Sequence, residues 1–84
     1  MAKRYSMKRR RNDQEQILRE VLQFIREFIN EHGISPSITE VADGCFRSRS
    51  GVVRYLDLLQ ARGYIERIPR SPRSISLLDE KRRL

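Results

Sequence analysis

Cysteine and histidine occur once each in this sequence, as Cys45 and His32. A lone cysteine excludes an internal disulfide and fits a reducing, cytoplasmic setting. A lone histidine at the end of a helical pattern, with no second ligand candidate nearby, suits a partner for the helix dipole better than a metal ligand. No apolar stretch approaches the ~20 residues of a membrane span. The basic start has no apolar segment behind it, so it does not read as a secretory signal. There is no internal repeat, no Gly-rich phosphate loop, no histidine–carboxylate–nucleophile set and no Cys/His metal cluster. The chain therefore reads as neither an enzyme nor a cofactor carrier. Cys45 sits in an apolar turn without a visible base, so both it and Phe46 are expected to pack inside.

What the sequence has in quantity is positive charge, unevenly placed. The formal net charge is +7 over 84 residues. Residues 1–11 hold six Lys or Arg and no acid, residues 12–44 hold two basic and seven acidic residues, and residues 45–84 hold ten basic and four acidic. Such a separation suggests that one end meets a polyanion, although a small basic protein also carries excess charge for solubility. The length allows one small domain, with a modest core. Residues 1–11 read as a disordered basic arm, which either lies along phosphates or a minor groove or is a plain tail. Residues 12–78 form the domain, and residues 79–84 a charged, frayed tail.

Asn12 and Glu15 have the spacing of a capping box, which opens a long helix to about His32. Ile17, Leu18, Val21, Leu22, Phe24, Ile25, Phe28 and Ile29 make its apolar face, and Glu20, Glu27 and Glu31 its acidic one. Gly33 ends it. The proline in Ile34-Ser35-Pro36 keeps the next segment extended. Ser37-Ile38-Thr39-Glu40 repeats the capping pattern and opens a short helix over about 38–43, with Ile38, Val41 and Ala42 inward. Asp43-Gly44 signals a turn.

A third helix is expected between the Ser48 cap and the Gly63 stop, with Val52, Tyr55, Leu56 and Leu59 as its buried stripe. Arg49, Ser50, Val53, Arg54 and Asp57 lie elsewhere on the wheel. Alone, this segment is equally an ordinary solvated helix. After it, residues 64–68 and 73–78 read as strands around a loop at 69–72, a hairpin with an arginine-rich tip. Helix, short helix, turn, helix and basic hairpin make a mainly α, three-helix winged helix-turn-helix. From Arg47 to Arg73 there are seven arginines against two acids, more than solvation of two adjacent elements needs.

Val21-Leu22-x-Phe24-Ile25, Gly33-x-x-Pro36-Ser37, Glu40-Val41-Ala42 and Phe46-Arg47-Ser48 resemble the DNA-binding domain of the LexA repressors. So do Val52-x-x-x-Leu56-x-x-Leu59, Arg62-Gly63-Tyr64-Ile65 and Pro69-x-x-Pro72-Arg73-Ser74-Ile75. The resemblance covers about residues 17–78 and implies a winged-helix domain that binds operator DNA and represses transcription of DNA-damage-response genes. It also implies base-contacting positions at Ser48, Ser50, Gly51, Val53 and Arg54, which match the family only partly in type. The segment 42–46 is one residue shorter than the family's usual stretch. The family's C-terminal autoprotease domain has no counterpart in the sequence, so self-cleavage is not expected and a mostly monomeric free state is.

The expected site is then Arg47, Ser48, Arg49, Ser50, Val53 and Arg54 on and before the third helix, with Arg70 and Arg73 on the wing. The partner is double-stranded DNA, with a possible second copy on a palindromic operator. A protein–protein module docking on an acidic partner is the alternative, but it has no need of arginines on both helix and wing. An RNA-binding reading lacks exposed aromatics for base stacking. Removing residues 1–11 should leave the fold intact, since no apolar face depends on them. It should also weaken DNA binding without changing sequence preference. Titration of the truncated chain against a duplex at low salt checks this, and unchanged affinity would reduce the arm to a tail.

Overall fold

The structure, a computed structural model, describes residues 13–68 and 70–78. The basic arm, the Asn12 cap and the charged tail lie outside the described residues. Helix α1 spans Asp13–His32, α2 Ile38–Cys45 and α3 Arg49–Ala61, and strands β1 (Ile65–Glu66) and β2 (Ser76–Leu77) pair antiparallel. This is the mainly helical winged helix-turn-helix that the order of sequence patterns implies.

Ile17, Leu18, Val21, Leu22 and Ile25 recur at spacings of one, three and four, so α1 buries one side along most of its length. Val41 and Ala42 of α2, Val52, Leu56 and Leu59 of α3, and Ile65 and Ile75 of the wing complete a single core. Each large aliphatic side chain fully buried there contributes roughly 1.5–3 kcal/mol. Pro36 is also fully buried. It fixes the extended link that turns the chain from α1 into α2.

The helix ends are built as the sequence signals them. Gly33 stops α1 at φ +74, its N–H donating to Ile29 O at 2.8 Å. The Ser37 hydroxyl accepts from Glu40 N at 3.1 Å while the Glu40 carboxylate accepts from Ser37 N at 2.9 Å, a complete capping box. The Ser48 hydroxyl accepts from Gly51 N at 3.1 Å and caps α3. Gly63, at φ +83, ends α3 with Gly63 N donating to Gln60 O and Tyr64 N to Leu59 O, both at 3.0 Å. This pair of bonds is a Schellman motif. His32 lies in the last turn of α1, its ring 4.2 Å from that of Phe28.

Two features of the turn between α2 and α3 differ from expectation. Gly44 does not turn the chain but lies inside α2, which runs two residues beyond the expected 43. A Cβ at Gly44 would collide with the Phe24 ring, so glycine there is the condition for packing α2 against α1. The turn falls instead on Phe46, at φ +55, closed by Phe46 N to Asp43 O (3.4 Å) and Arg47 N to Ala42 O (2.9 Å). This repeats the bond pattern at Gly63 with a bulky residue in the left-handed position. That backbone aims the side chain outward: Phe46 is 91% exposed rather than packed inside, while Cys45 is half-buried.

The wing's strands are two residues each, shorter than the expected 64–68 and 73–78. Ile65 pairs with Leu77 and Glu66 with Ser76, and Leu78 N donates to Tyr64 O at 2.8 Å. Toward the tip the Ser74 hydroxyl replaces the ladder, accepting from Ile68 N at 2.9 Å and donating to Ile68 O at 3.1 Å. Arg70 and Arg73 both take positive φ, +67 and +58, which bends the tip out of strand geometry.

Because Phe46 occupies a conformation that costs a side-chain-bearing residue roughly 1–2 kcal/mol and buries almost nothing, Phe46→Gly should raise stability by about 0.5–1 kcal/mol. Chemical denaturation of the two proteins measures it. A buried Phe46 would instead make truncation cost roughly 3–5 kcal/mol.

Candidate nucleic-acid interface

The rotation of α3 is fixed by what it buries. Val52, Leu56 and Leu59 are essentially inaccessible. At 100° per residue Arg54 lies opposite Val52 and Leu56, and Ser50, four residues earlier, shares its outward face. Ser50 and Arg54 are exposed accordingly, as are Ser48 and Arg49. Val53 is half-buried, with only part of its side chain open to a partner, and Arg47, just before the cap, is half-buried too. The acceptor capacity of the Ser48 hydroxyl is committed to the cap. It lies 3.5 Å from the Ser50 hydroxyl, so the two form one polar patch at the helix entry.

The seven arginines from Arg47 to Arg73 divide into two groups. Arg62 makes a two-pronged contact with Glu15 at 3.0 and 2.9 Å, tying the end of α3 to the start of α1. Arg67 is bonded to Asp57 and, at 3.3 Å, to Gln60, tying the wing to α3. Arg73 forks onto Glu40 at 2.9 and 3.0 Å and also reaches Ser35 O at 3.0 Å. Among the described residues, the side chains of Arg47, Arg49, Arg54 and Arg70 make no hydrogen bond or ion pair. Asp57 is the sole acid of α3 and Glu40 the sole acid in the first turn of α2. Each is covered by an arginine from the wing side of the chain.

A groove of about 290 Å³ runs between the start of α2, the start of α3 and the wing. Arg49 and Arg70 both line it, with the hydroxyls of Thr39 and Ser71 nearby and Arg67 and Arg73 in its wall. The structure thus brings together Arg49, Arg70 and Arg73 from the expected site. Ser50 and Arg54 lie on the outer face of α3, outside the groove. Thr39 and Ser71 were not singled out from sequence, since nothing in their local pattern separates them from other solvated hydroxyls. Glu40 was legible only as a helix cap.

The fork from Arg73 holds the Glu40 carboxyl below its ordinary value of 4.5, and the fork from Arg62 does the same for Glu15. The same contacts push the Arg73 and Arg62 guanidinium groups up. Burial, followed by the charge of Glu20, pushes the Cys45 thiol up, the opposite of what a reactive thiolate requires. No cluster of three or more potential metal ligands occurs among the described residues, and none of their helices is long and apolar enough to cross a membrane.

Residues 14–74 match the family model described as the LexA DNA binding domain. The chain is 36% identical over 64 residues to a LexA repressor of Carboxydothermus hydrogenoformans, covering 75% of this chain and 31% of that protein. It is 37% identical over 62 residues to a LexA repressor of Erythrobacter litoralis, covering 73% of this chain and 27% of the relative. The chain therefore spans less than a third of the length of these curated relatives. Nothing in these matches supports a module that docks on an acidic protein.

Glu15 and Glu40 both have carboxyls depressed on folding, so their contribution to stability is present above the unfolded value and is lost as pH falls through the folded one. The melting temperature should hold above pH 4.5 and fall below it. A Glu15→Gln/Glu40→Gln double variant should show a shallower acid limb. Thermal melts of both proteins across that range check this. An equally steep limb in the variant would mean that other carboxyls carry the acid sensitivity.

Proposed function

The chain belongs to the LexA DNA-binding domain family, and from that premise we propose that it is a sequence-specific, double-stranded-DNA-binding repressor of transcription. Its targets on this reading are genes of a DNA-damage response. On this reading it acts in the cytoplasm, and residues 14–74 work by binding DNA rather than by a catalytic step. The observation that carries the reading is the division of the arginines. The side chains of Arg62, Arg67 and Arg73 are bound to carboxylates, while those of Arg47, Arg49, Arg54 and Arg70 have no hydrogen-bonded or ionic partner among the described residues. Four cations without partners, distributed over the entry to α3, its outer face and the wing, suit a ligand with many regularly spaced anions.

In this reading the N-terminal half of α3 enters the major groove. Arg54 and Ser50 face the base edges, Arg54 as a two-pronged donor to guanine, and the open part of Val53 meets a thymine methyl. Arg49 and Arg70 straddle a backbone phosphate in the groove they share, joined by Arg47 and the hydroxyl proton of Ser48. The two wing-side clamps keep Asp57 and Glu40 from repelling the phosphates. Two copies occupy a palindromic operator with half-sites about one helical turn, or a multiple of it, apart.

The test is a panel of duplexes carrying single-base changes, titrated over a range of salt. For the intact chain, contacts to ~4–6 phosphates should give a log–log salt slope of about −4 to −5. Arg54→Ala should cost roughly 1–3 kcal/mol and relax preference at one base position, whereas Arg70→Ala should weaken all duplexes alike and reduce the slope by about 1. A flat salt response would end the DNA reading. An exchange of the two variants' behaviours would mean that helix and wing had been given each other's roles.

A further inference from the structure

The sequence puts Arg73 in the expected DNA site, on the wing, but three of the five N–H donors of its guanidinium are engaged within the chain. Nη1 donates to Glu40 Oε1 at 2.9 Å and to Ser35 O at 3.0 Å, and Nη2 donates to Glu40 Oε2 at 3.0 Å. The Glu40 oxygen that takes Nη1 also accepts from Ser37 N, as part of the cap of α2. A second strand of contacts runs alongside, with Ile75 N donating to the Ser35 hydroxyl at 3.1 Å. Two positions after the wing tip, then, the chain is fastened to the loop before α2 and to its first turn. These contacts span sequence separations of 33 to 40 residues.

This fastening matters because the Ser74 hydroxyl closes the outer half only onto Ile68 and Arg67 ties it to α3, whereas Arg73 and Ile75 tie the returning strand to the loop before α2 and to its first turn. Only two residue pairs form the ladder, and a two-stranded ribbon is marginal by itself. Arg70, on the tip, has no partner within the described residues to fix its direction. Its position relative to Arg49 across the groove depends on where the returning strand is anchored.

We propose that Arg73 is a positioning residue rather than a DNA contact: its grip on Glu40 and Ser35 sets the wing against the start of α2 and so aims Arg70 across the groove toward Arg49. The proposal rests on the DNA-binding reading and specifies how one of its elements is placed. A planar fork is needed for this task, because a lysine ammonium cannot bridge both carboxylate oxygens and a carbonyl in a fixed plane. The two possible roles of Arg73 predict opposite signs for Glu40→Gln. If Arg73 contacts phosphate, removing the Glu40 charge releases a cation and removes an anion near the DNA, and binding tightens. If Arg73 positions the wing, weakening its anchor lets the wing wander, and binding loosens. Gln retains an oxygen for the cap at Ser37, so the fold survives the change.

The experiment uses the whole chain and a random-sequence DNA duplex titrated over a range of salt, with Glu40→Gln, Arg73→Lys and Arg73→Gln, each alone and combined with Arg70→Ala. The expected result is a loss of affinity of roughly 3- to 30-fold for each single variant at Glu40 or Arg73. Arg73→Gln should lower the salt slope by at most about 1, because the phosphate contact it disturbs is that of Arg70, and should lower it no further in the Arg70→Ala background. The loss caused by Arg70→Ala should shrink markedly in the Glu40→Gln and Arg73→Lys backgrounds, since a wing already misplaced has little left to lose. Faster amide exchange at Ile75 in the free variants, at near-unchanged melting temperature, would place the effect in the wing. Tighter binding by Glu40→Gln, or a slope in the Arg73→Gln/Arg70→Ala double variant about 1 lower than in Arg70→Ala alone, would overturn the proposal. So would an Arg70→Ala loss of the same size in every background, because a contribution to stability alone leaves that loss untouched. Absence of salt-dependent binding by the unmodified chain is a separate outcome: it removes the DNA reading, and the wing's role with it.

Discussion

The burial of Val52, Leu56 and Leu59 against α1 and the wing is the constraint on which the rest of the molecule depends. A helix lying on a core can still rotate about its axis if its apolar stripe is weak. Three fully buried side chains at spacings of three and four leave α3 a single azimuth. Turning it by one residue would expose Leu56 and Leu59 and bury Asp57 and Gln60 in their place, at a cost of several kcal/mol. The direction of Ser50 and Arg54 is thus a consequence of core packing on the opposite side of the helix. Ser48 and Gly63 fix where the helix begins and ends, so azimuth and register are both set by residues that need never touch a ligand.

Charge follows a second logic, which composition alone conceals. Seven arginines in the stretch from Arg47 to Arg73 suggest a uniformly basic surface, yet three of them spend their charge on Glu15, Asp57 and Glu40. These pairs are exposed, and exposed pairs contribute little to stability. Their importance lies in geometry and in local neutrality. Arg67 and Arg73 leave the groove and the outer face of α3 without an unpaired carboxylate. Four arginines remain to generate the field. A polyanion approaching this side meets fewer cations than the count suggests, but no opposing acid within the described interface.

What could be read from the sequence follows the range of the interactions. Caps at Ser37 and Ser48, stops at Gly33 and Gly63 and the apolar stripes of α1 and α3 are local, determined within four residues, and each appears where its pattern lies, with Phe24, Phe28, Ile29 and Tyr55 half-buried at the edges of the stripes. The hairpin was legible as a pair of strands but not in length, because its ladder is cut short by a side chain, the Ser74 hydroxyl, and by positive φ at two arginines. The division of the arginines was not legible at all. Arg62 meets a residue 47 positions away and Arg73 one 33 positions away, and no periodicity encodes such partners. Arg73 and Arg70 look alike in sequence. In the fold the side chain of one is bonded to Glu40 and Ser35, and that of the other has no such partner among the described residues.

The turn before α3 shows how a local rule can fail and the global arrangement still hold. Gly44 is the residue that turn chemistry selects, but the Phe24 ring lies where its side chain would be, so close packing between α1 and α2 claims this glycine for itself. The helix continues through Cys45, and the left-handed position falls on Phe46. The turn still closes, with Phe46 N donating to Asp43 O and Arg47 N to Ala42 O. The chain still reaches Ser48 in the extended conformation a cap requires, with φ −79 and ψ 157. The strain and exposure are confined to Phe46, whose side chain contributes nothing to the core. The entry and azimuth of α3 are fixed by Ser48 and the buried stripe, both beyond this turn. The displaced turn is therefore absorbed before it can reach the face that carries Ser50 and Arg54.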